Sequence, residues 1–144
     1  MKLHRGDLLA GLRTSGEKFD VVFTSFALHH LATGEKSVFF QSAYQRLTEN
    51  GVLRFIDTMR DDDEDRELYL DHYCAWLRSR CTTLSAAALD LLCAHIRSND
   101  FPETTALVQG MATDAGFSGH VEMNRFGWHH TWCFHRTGGG ETTR

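Results

Sequence analysis

The sequence FDVVFTSFALHHL at residues 19–31 begins the stretch that decides the fold, and ENGVLRFID at residues 49–57 ends it. Each piece contains a short apolar run typical of a β-strand, VVF in the first and VLRFI in the second. Between them, Phe39, Ala43 and Leu47 recur at every fourth position, which places their side chains on one face of a helix. A strand, a helix and a strand with short connections predict a βαβ unit, whose two strands are parallel neighbours in one sheet.

The ends of these two strands form the predicted site. Sheets of this kind bind ligands beyond the carboxyl ends of their strands, which here are residues 24–30 and 57–60. Polar side chains gather in both segments, so we expect the segments to face one crevice. The first strand is apolar along most of its length, and we expect it to be buried on both faces.

The same residues resemble a known family. The pieces KFDVV at 18–22, ALHHL at 27–31 and LTENGVL at 47–53 resemble strands four and five of class I S-adenosylmethionine-dependent methyltransferases. The typical pieces of that family are FD-V-x-S-x-x-LHHL and L-K-P-G-G-x-L, so Glu49 and Asn50 depart from it. The resemblance extends from about Arg5 to Phe134. It implies an α/β fold with a partial Rossmann-like doubly wound sheet, made of strands four to seven, and a helical insertion after strand five at residues 65–100.

The resemblance also implies the cofactor S-adenosylmethionine and places residues around it. The methionine portion and methyl group would lie against Ser25, Phe26 and Leu28. Asp7 resembles the acidic residue that contacts the exocyclic amine of adenine, a donor from which a carboxylate can accept, and Leu8 or Leu9 would pack on the ring. The alternative, which is compatible with this role, is that Asp7 caps the helix that begins at Leu8.

The candidate catalytic residue is a histidine. Methyl transfer from a sulfonium requires orientation, desolvation and, for some acceptors, a general base. Imidazole titrates near neutral pH, so either His29 or His30 could act as the base; we assign His29 to this role and His30, Asp57 and Arg60 to the substrate. Adjacent residues on a tight turn point apart, so only one of the two histidines is expected to face the site. The structural alternatives are that one ring packs while the other is solvated, and that Asp57 and Arg60 pair with a neighbouring helix.

Two cofactor-binding features of the resembled family are missing. The chain contains no G-x-G-x-G turn after a first strand and no acidic residue of a second strand, and the glycine run at 138–140 lies in a polar tail. We therefore interpret residues 1–135 as a carboxyl-terminal portion of a methyltransferase domain, followed by a disordered tail at 136–144. The alternative function is a non-catalytic remnant or interaction subunit that binds a partner protein supplying the missing half.

The bulk composition limits the class of protein. With 144 residues, 42% hydrophobic and 24% charged, the chain has the size and composition of one soluble domain. A net charge of −4 argues against nucleic-acid binding, and no apolar run approaches the roughly 18 residues of a membrane span. Four cysteines without CxxC spacing predict buried free thiols in a cytoplasmic protein. The expected partner is a small-molecule substrate.

No metal site is predicted. The nine histidines include pairs at 29–30 and 129–130, but their spacing matches no compact zinc motif. An open alternative is that one ring from each pair meets the other at the top of the sheet. The five consecutive carboxylates at 61–65 lack the glycine-bent spacing of a calcium loop and suit the start of a following helix.

The second half of the chain predicts helices and a hairpin. Apolar stripes predict one helix at 67–81 and another after Ser85, and the resemblance implies a substrate lid or a homodimer surface in this insertion. Asp100 and Glu103 have capping-box spacing, which predicts that a third helix begins there and ends at Gly116. Residues 119–126 and 128–134 predict an antiparallel pair at the sheet edge.

Overall fold

The computed structural model describes residues 5–137, so residues 1–4 and the end of the predicted tail, with its glycine run at 138–140, lie outside the described part. Helices and strands alternate in the first half and segregate in the second. Their order is α1 (Leu8–Thr14), β1 (Phe19–Ser25), α2 (Thr33–Arg46), β2 (Leu47–Thr58), α3 (Arg66–Arg80), α4 (Ala86–Asn99), α5 (Thr105–Ala115), β3 (Gly119–Phe126) and β4 (His129–His135).

The four strands form one mixed sheet in the order β1-β2-β4-β3. β1 and β2 are parallel, with Val22 opposite Leu53 and Ser25 opposite Ile56. β4 is antiparallel to both β2 and β3, so it lies inside the sheet and β3 lies at the edge among the described strands. The predicted βαβ unit, the antiparallel pair and the partial Rossmann-like α/β class are confirmed.

The main core lies between one face of the sheet and the helices α2 and α5. The side chain of Phe40 is at its centre, with its ring centroid 5.7–6.5 Å from four other aromatic rings. Burial of each such large apolar side chain stabilises the fold by about 1.5–3 kcal/mol. The core residues from the sheet are Leu47, Leu53, Phe55, Trp132 and Phe134, and those from α2 and α5 are Phe39, Phe40, Ala43, Val108, Met111 and Ala112.

A second, smaller core holds α3 and α4 together. It contains two tyrosines and two cysteines, and the thiols of Cys74 and Cys93 are free and buried. Burial in these apolar surroundings raises the pKa of the Cys74 thiol to about 11, with the neighbouring Cys93 adding to the shift. None of the helices in the described range is long and apolar enough to cross a membrane.

The expectation that β1 is buried on both faces is wrong. Val22 packs against the main core and Thr24 is buried, but Val21 is 52% exposed and Phe23 is 60% exposed. Successive side chains of a strand point to opposite faces, and only one face of this sheet carries the main core. Within residues 5–137, β1 also pairs with a single strand, β2, so it is an edge strand with an apolar outer face.

The predicted start of the third helix is also wrong. Asp100 is the C-cap of α4, and α5 begins only after Thr104, whose hydroxyl accepts from the backbone N–H of Leu107 at 3.2 Å. Other elements take the backbone hydrogen bonds of the intervening segment: the Phe101 N–H donates to the His29 carbonyl and the Lys36 ammonium donates to the Phe101 carbonyl. These groups are therefore not available to a helix. The end of the helix at Gly116 is confirmed.

The start of the predicted tail is ordered. The backbone N–H of Arg136 donates to the Gly51 carbonyl at 2.9 Å, and its guanidinium donates to the Tyr44 carbonyl at 2.8 Å. The guanidinium carbon also lies 4.6 Å from the centroid of the Tyr44 ring, a cation–π geometry. Disorder is therefore the wrong expectation for residue 136, and residues 138–144 lie outside the described part.

We expect Gly116→Ala to lower the free energy of unfolding by about 1–3 kcal/mol. Gly116 has φ +107°, and a Cβ there would lie 2.9 Å from Cζ of Tyr44. The matched control is Gly110→Ala in the interior of the same helix, where a Cβ meets nothing within 4 Å. The control should raise stability by about 0.5–1 kcal/mol. Urea unfolding followed by circular dichroism measures both, and unchanged stability of Gly116→Ala would contradict the conformational argument.

Candidate functional site

The carboxylate of Asp57 fastens the loop after β1 to the end of β2. Asp57 is 2% exposed. Its Oδ2 accepts from the backbone N–H groups of Leu28 at 2.7 Å and Ala27 at 3.2 Å, and its Oδ1 accepts from that of Thr58 at 2.8 Å. Oδ1 also forms a short hydrogen bond with Nδ1 of His29. One side chain thus satisfies three backbone donors and an imidazole.

The sequence brings the loop to this carboxylate by a change of backbone direction at Phe26. The Phe26 N–H still donates to the Ile56 carbonyl at 2.8 Å, as in the strand, but its φ is +46°. A positive φ is uncommon for a residue with a bulky side chain and is retained where the surroundings enforce it. After this bend, a single 3₁₀ turn at Leu28–His30 begins, with the Leu28 side chain buried in the main core. Anchoring of Leu28 on one side and Asp57 on the other fixes the turn.

His29 is buried and oriented by Asp57. A carboxylate only accepts, so the Nδ1 atom of His29 carries the proton of this hydrogen bond and Nε2 is the outward nitrogen. Burial acts to lower the pKa of His29, but the hydrogen bond and charge of Asp57, together with the charge of Asp100, outweigh burial. The net pKa of His29 is therefore above its usual value of 6.5.

The loop after α4 supplies a second buried carboxylate. Asp100 is 4% exposed, and its Oδ2 lies 3.8 Å from Nε2 of His29 while its Oδ1 lies 3.3 Å from Nδ1 of His30. Burial raises the pKa of Asp100, and the neighbouring histidines oppose the shift. Only one of the two histidines is buried, but both rings reach Asp100. Sequence reasoning missed this residue, because its spacing to Glu103 matched a helix cap.

An aromatic group lies beside the loop on the other face of the sheet. The ring of Phe26 contacts that of His129 edge-on at 5.0 Å, and the hydroxyl of Tyr73 donates to Nε2 of His129 at 2.8 Å. Burial lowers the pKa of His129, which favours the neutral ring that can accept this bond. The Trp76 ring lies 5.5 Å from His129 and completes the group. Tyr73 and Trp76 of α3 thus pack toward the strand ends.

Of the predicted residues, Asp57, His29, His30 and the backbone of Leu28 come together, with Ser25 and Phe26 immediately before them in the chain. Arg60 turns away to a structural role. Its Nε donates to the Pro102 carbonyl at 3.1 Å and its Nη1 donates to the Glu64 carbonyl. Both acceptors are backbone carbonyls of loop residues, so these bonds are not the ion pair with a neighbouring helix that was the expected alternative for Arg60.

Asp7 is the N-cap of α1 and Leu8 its first residue, and α1 packs on α2. The Oδ1 atom of Asp7 accepts from the backbone N–H of Ala10 at 2.8 Å, so the expected helix cap is present. Leu8 is 38% exposed. Within residues 5–137, no hydrogen bond or ion pair joins either residue to the Asp57 group.

We expect Asp57→Asn to lower the free energy of unfolding by about 3 kcal/mol. The NH₂ group of asparagine replaces one carboxylate oxygen and cannot accept, so the backbone N–H groups facing it lose their acceptor. Asp90→Asn is the control, since Asp90 pairs with Arg78 at the surface and is 69% exposed in its side chain. Chemical denaturation measures both variants. Equal small losses would show that Asp57 is not the anchor of the loop.

The pKa of His29 should depend on its carboxylate neighbours, Asp57 and Asp100. Its folded pKa is raised, so the protonated ring contributes stability that is fully present below the unfolded pKa, near 6.5, and is lost as the pH rises through the folded pKa. Proton NMR of the His29 ring should give a midpoint above 6.5 in the native sequence and a lower one in Asp57→Asn. A native midpoint at or below 6.5 would show that burial outweighs the carboxylates.

Comparisons with known proteins give one curated relative and several solved structures that are described as methyltransferases. No protein-family model matches the chain. A curated relative described as an uncharacterized methyltransferase from Staphylococcus carnosus (strain TM300) is 33% identical over 57 residues, which is 40% of this chain and 28% of the relative.

Solved structures resemble nearly the whole chain. An O-methyltransferase family protein from Burkholderia thailandensis has a TM-score of 0.62 and 16% identity, covering 92% of this chain and 34% of its own. Human N-acetylserotonin methyltransferase in complex with SAM has a TM-score of 0.64 and 16% identity. The match covers 94% of this chain and 33% of the human enzyme. The chain thus spans about a third of the length of these structures. Over the part that it spans, it has the fold of a class I S-adenosylmethionine-dependent methyltransferase.

Proposed function

We propose that these residues form the acceptor side of an S-adenosylmethionine-dependent methyltransferase that transfers a methyl group to a small molecule. The observation that carries this proposal is the fastening of the loop after β1 by Asp57, which holds a buried His29 at the carboxyl ends of two parallel strands. This is where such sheets bind ligands. The methyltransferase fold of the chain supports the same reading.

The residues around the site suit different parts of the cofactor. Phe26 is 46% exposed at the end of β1, so its ring is free to lie against the methionine portion, together with Ser25 and the turn at Leu28. The helix cap takes Oδ1 of Asp7, and the second carboxylate oxygen suits the adenine amine. Leu8 is exposed next to it and suits the adenine ring.

When bound, the cofactor supplies an electrophilic methyl group. His29 would act as general base: Nε2 takes the proton of the acceptor hydroxyl or amine as the acceptor atom attacks. Asp57 holds the ring in the required tautomer and stabilises the imidazolium that forms, as Asp100 does from the other side. His30, half-exposed next to Asp100, lies on the path to solvent and suits a polar group of the acceptor.

A second candidate function rests on the outer face of β1. Val21 and Phe23 are exposed side by side on the face opposite the main core, next to a strand edge that pairs with nothing in residues 5–137. Exposed apolar surface at an unpaired edge is typical of an interaction site. In this function the chain is an interaction subunit whose partner adds strands to β1. The expected homodimer would instead use the insertion, where Leu91 of α4 is 74% exposed.

Calorimetry with S-adenosylmethionine tests the first function against the second. A methyltransferase should bind the cofactor with a micromolar dissociation constant, and Asp7→Ser should weaken binding about tenfold. Serine retains the helix cap, so α1 stays folded and only the contact with adenine is lost.

Two results would contradict the assignments. Equal affinities of Asp7→Ser and the native protein would restrict Asp7 to its capping role. Absence of binding up to millimolar cofactor would favour the interaction subunit. Where binding is found, formation of S-adenosylhomocysteine with a panel of small hydroxyl and amine compounds identifies the acceptor class.

A further inference from the structure

We propose that His29, His30 and Asp100 form a binding site for a divalent metal ion such as zinc. A ring nitrogen from each histidine and a carboxylate oxygen of Asp100 all lie within 4.8 Å of one another. The two histidines come from the turn after β1 and the aspartate from the end of α4, so the site joins the sheet to the helical insertion. Methyl transfer does not require this site.

Each imidazole faces its own oxygen of the Asp100 carboxylate, so an ion binds between them after small side-chain movements. Zinc bonds to nitrogen and oxygen are near 2.0–2.1 Å, so neighbouring atoms of a tetrahedral site lie roughly 3.3 Å apart. His30 Nδ1 and Asp100 Oδ1 are 3.3 Å apart, and His29 Nε2 and Asp100 Oδ2 are 3.8 Å apart. The turn already brings the two imidazole rings to a centroid distance of 4.0 Å.

The support behind His29 is that of a metal ligand. Histidines that bind metals usually donate their other ring N–H to a carboxylate, which fixes the tautomer and directs the free nitrogen. Nδ1 of His29 donates to Asp57, and Asp57 is itself held by the backbone N–H groups of Leu28 and Thr58. The lone pair of Nε2 therefore points out of a rigid support toward Asp100.

Asp100 provides an independent observation. Its Oδ1 atom is buried and accepts no hydrogen bond within the described residues, although Nδ1 of His30 lies 3.3 Å away. A buried carboxylate oxygen without a donor is costly, and a cation between it and the two rings would remove that cost. The nearby ammonium of Lys36 does not serve this purpose, because it pairs with Glu103 at 3.1 Å.

Charge and access agree with this assignment. Asp100 and Asp57 together supply two negative charges for one divalent ion, and two imidazoles favour zinc, nickel or iron over magnesium or calcium. The side chain of His30 is 47% exposed, whereas those of His29 and Asp100 are at most 8% exposed. The ion would therefore enter past His30, and a fourth position facing this side is left for water or another ligand.

A bound ion would change what His29 can do. Coordination uses the Nε2 lone pair, so a metal-bound His29 cannot take a proton from an acceptor. If the proposed methyl transfer uses His29 as base, zinc and catalysis exclude each other at this residue. Binding of the ion itself does not depend on that function.

The test uses the metal-free chain with Zn²⁺ in calorimetry and with Co²⁺ in visible absorption spectroscopy, at pH 7.5 and without cofactor. We expect one ion per chain and a cobalt spectrum typical of nitrogen and oxygen ligands. His30→Ala and Asp100→Asn should each weaken binding at least tenfold. His72→Ala is the matched control, since His72 is also a half-exposed histidine, 2.7 Å from the buried carboxylate of Glu64.

His30→Ala keeps the experiment decisive, because His30 is half-exposed and its loss should leave the melting temperature unchanged. Equal binding by His30→Ala and the native chain, or an equal loss in His72→Ala, would overturn the proposal and indicate adventitious binding by surface histidines. Weak binding with several ions per chain would do the same. Zinc binding without cofactor binding would refute the proposed function alone, and the reverse result would refute the metal site alone.

Discussion

The structure at the strand ends depends on one buried carboxylate. Asp57 lies at the end of β2. One of its oxygens accepts from the backbone of the loop after β1, and the other accepts from the backbone of Thr58. A charged group is stable there only because it makes all these bonds. The turn at Leu28–His30 has its shape because the carboxylate holds it, and the orientation of His29 follows from the same contact.

The parts of the fold that are local in sequence could be predicted. The parallel βαβ unit could be predicted from the apolar runs at 21–23 and 52–56. The four-residue spacing of Phe39, Ala43 and Leu47 predicts its helix. The exposed face of β1 could not be read in this way. An apolar run indicates that both faces of a strand can be buried. It does not show that other elements cover both faces of the sheet.

The candidate site could be predicted only in part, because some of its contacts join residues that are distant in sequence. His29 and Asp57 were found because they follow strands, and strand ends converge in this topology. Asp100 was misread because a Glu three positions later imitates a helix start, whereas its neighbours in space come from a distant part of the chain. Pairings that the tertiary structure makes leave no periodic signal, and the partners of His129 and Lys36 were missed in the same way.

The position of β4 has a consequence for biosynthesis. This strand is the last of the described sequence, yet it lies between β2 and β3 and supplies Trp132 and Phe134 to the main core. During translation, the ribosome must release residue 135 before the sheet can close, so the earlier strands wait with their apolar sides open. The apolar side of the earlier strands therefore stays uncovered during synthesis until β4 has left the ribosome.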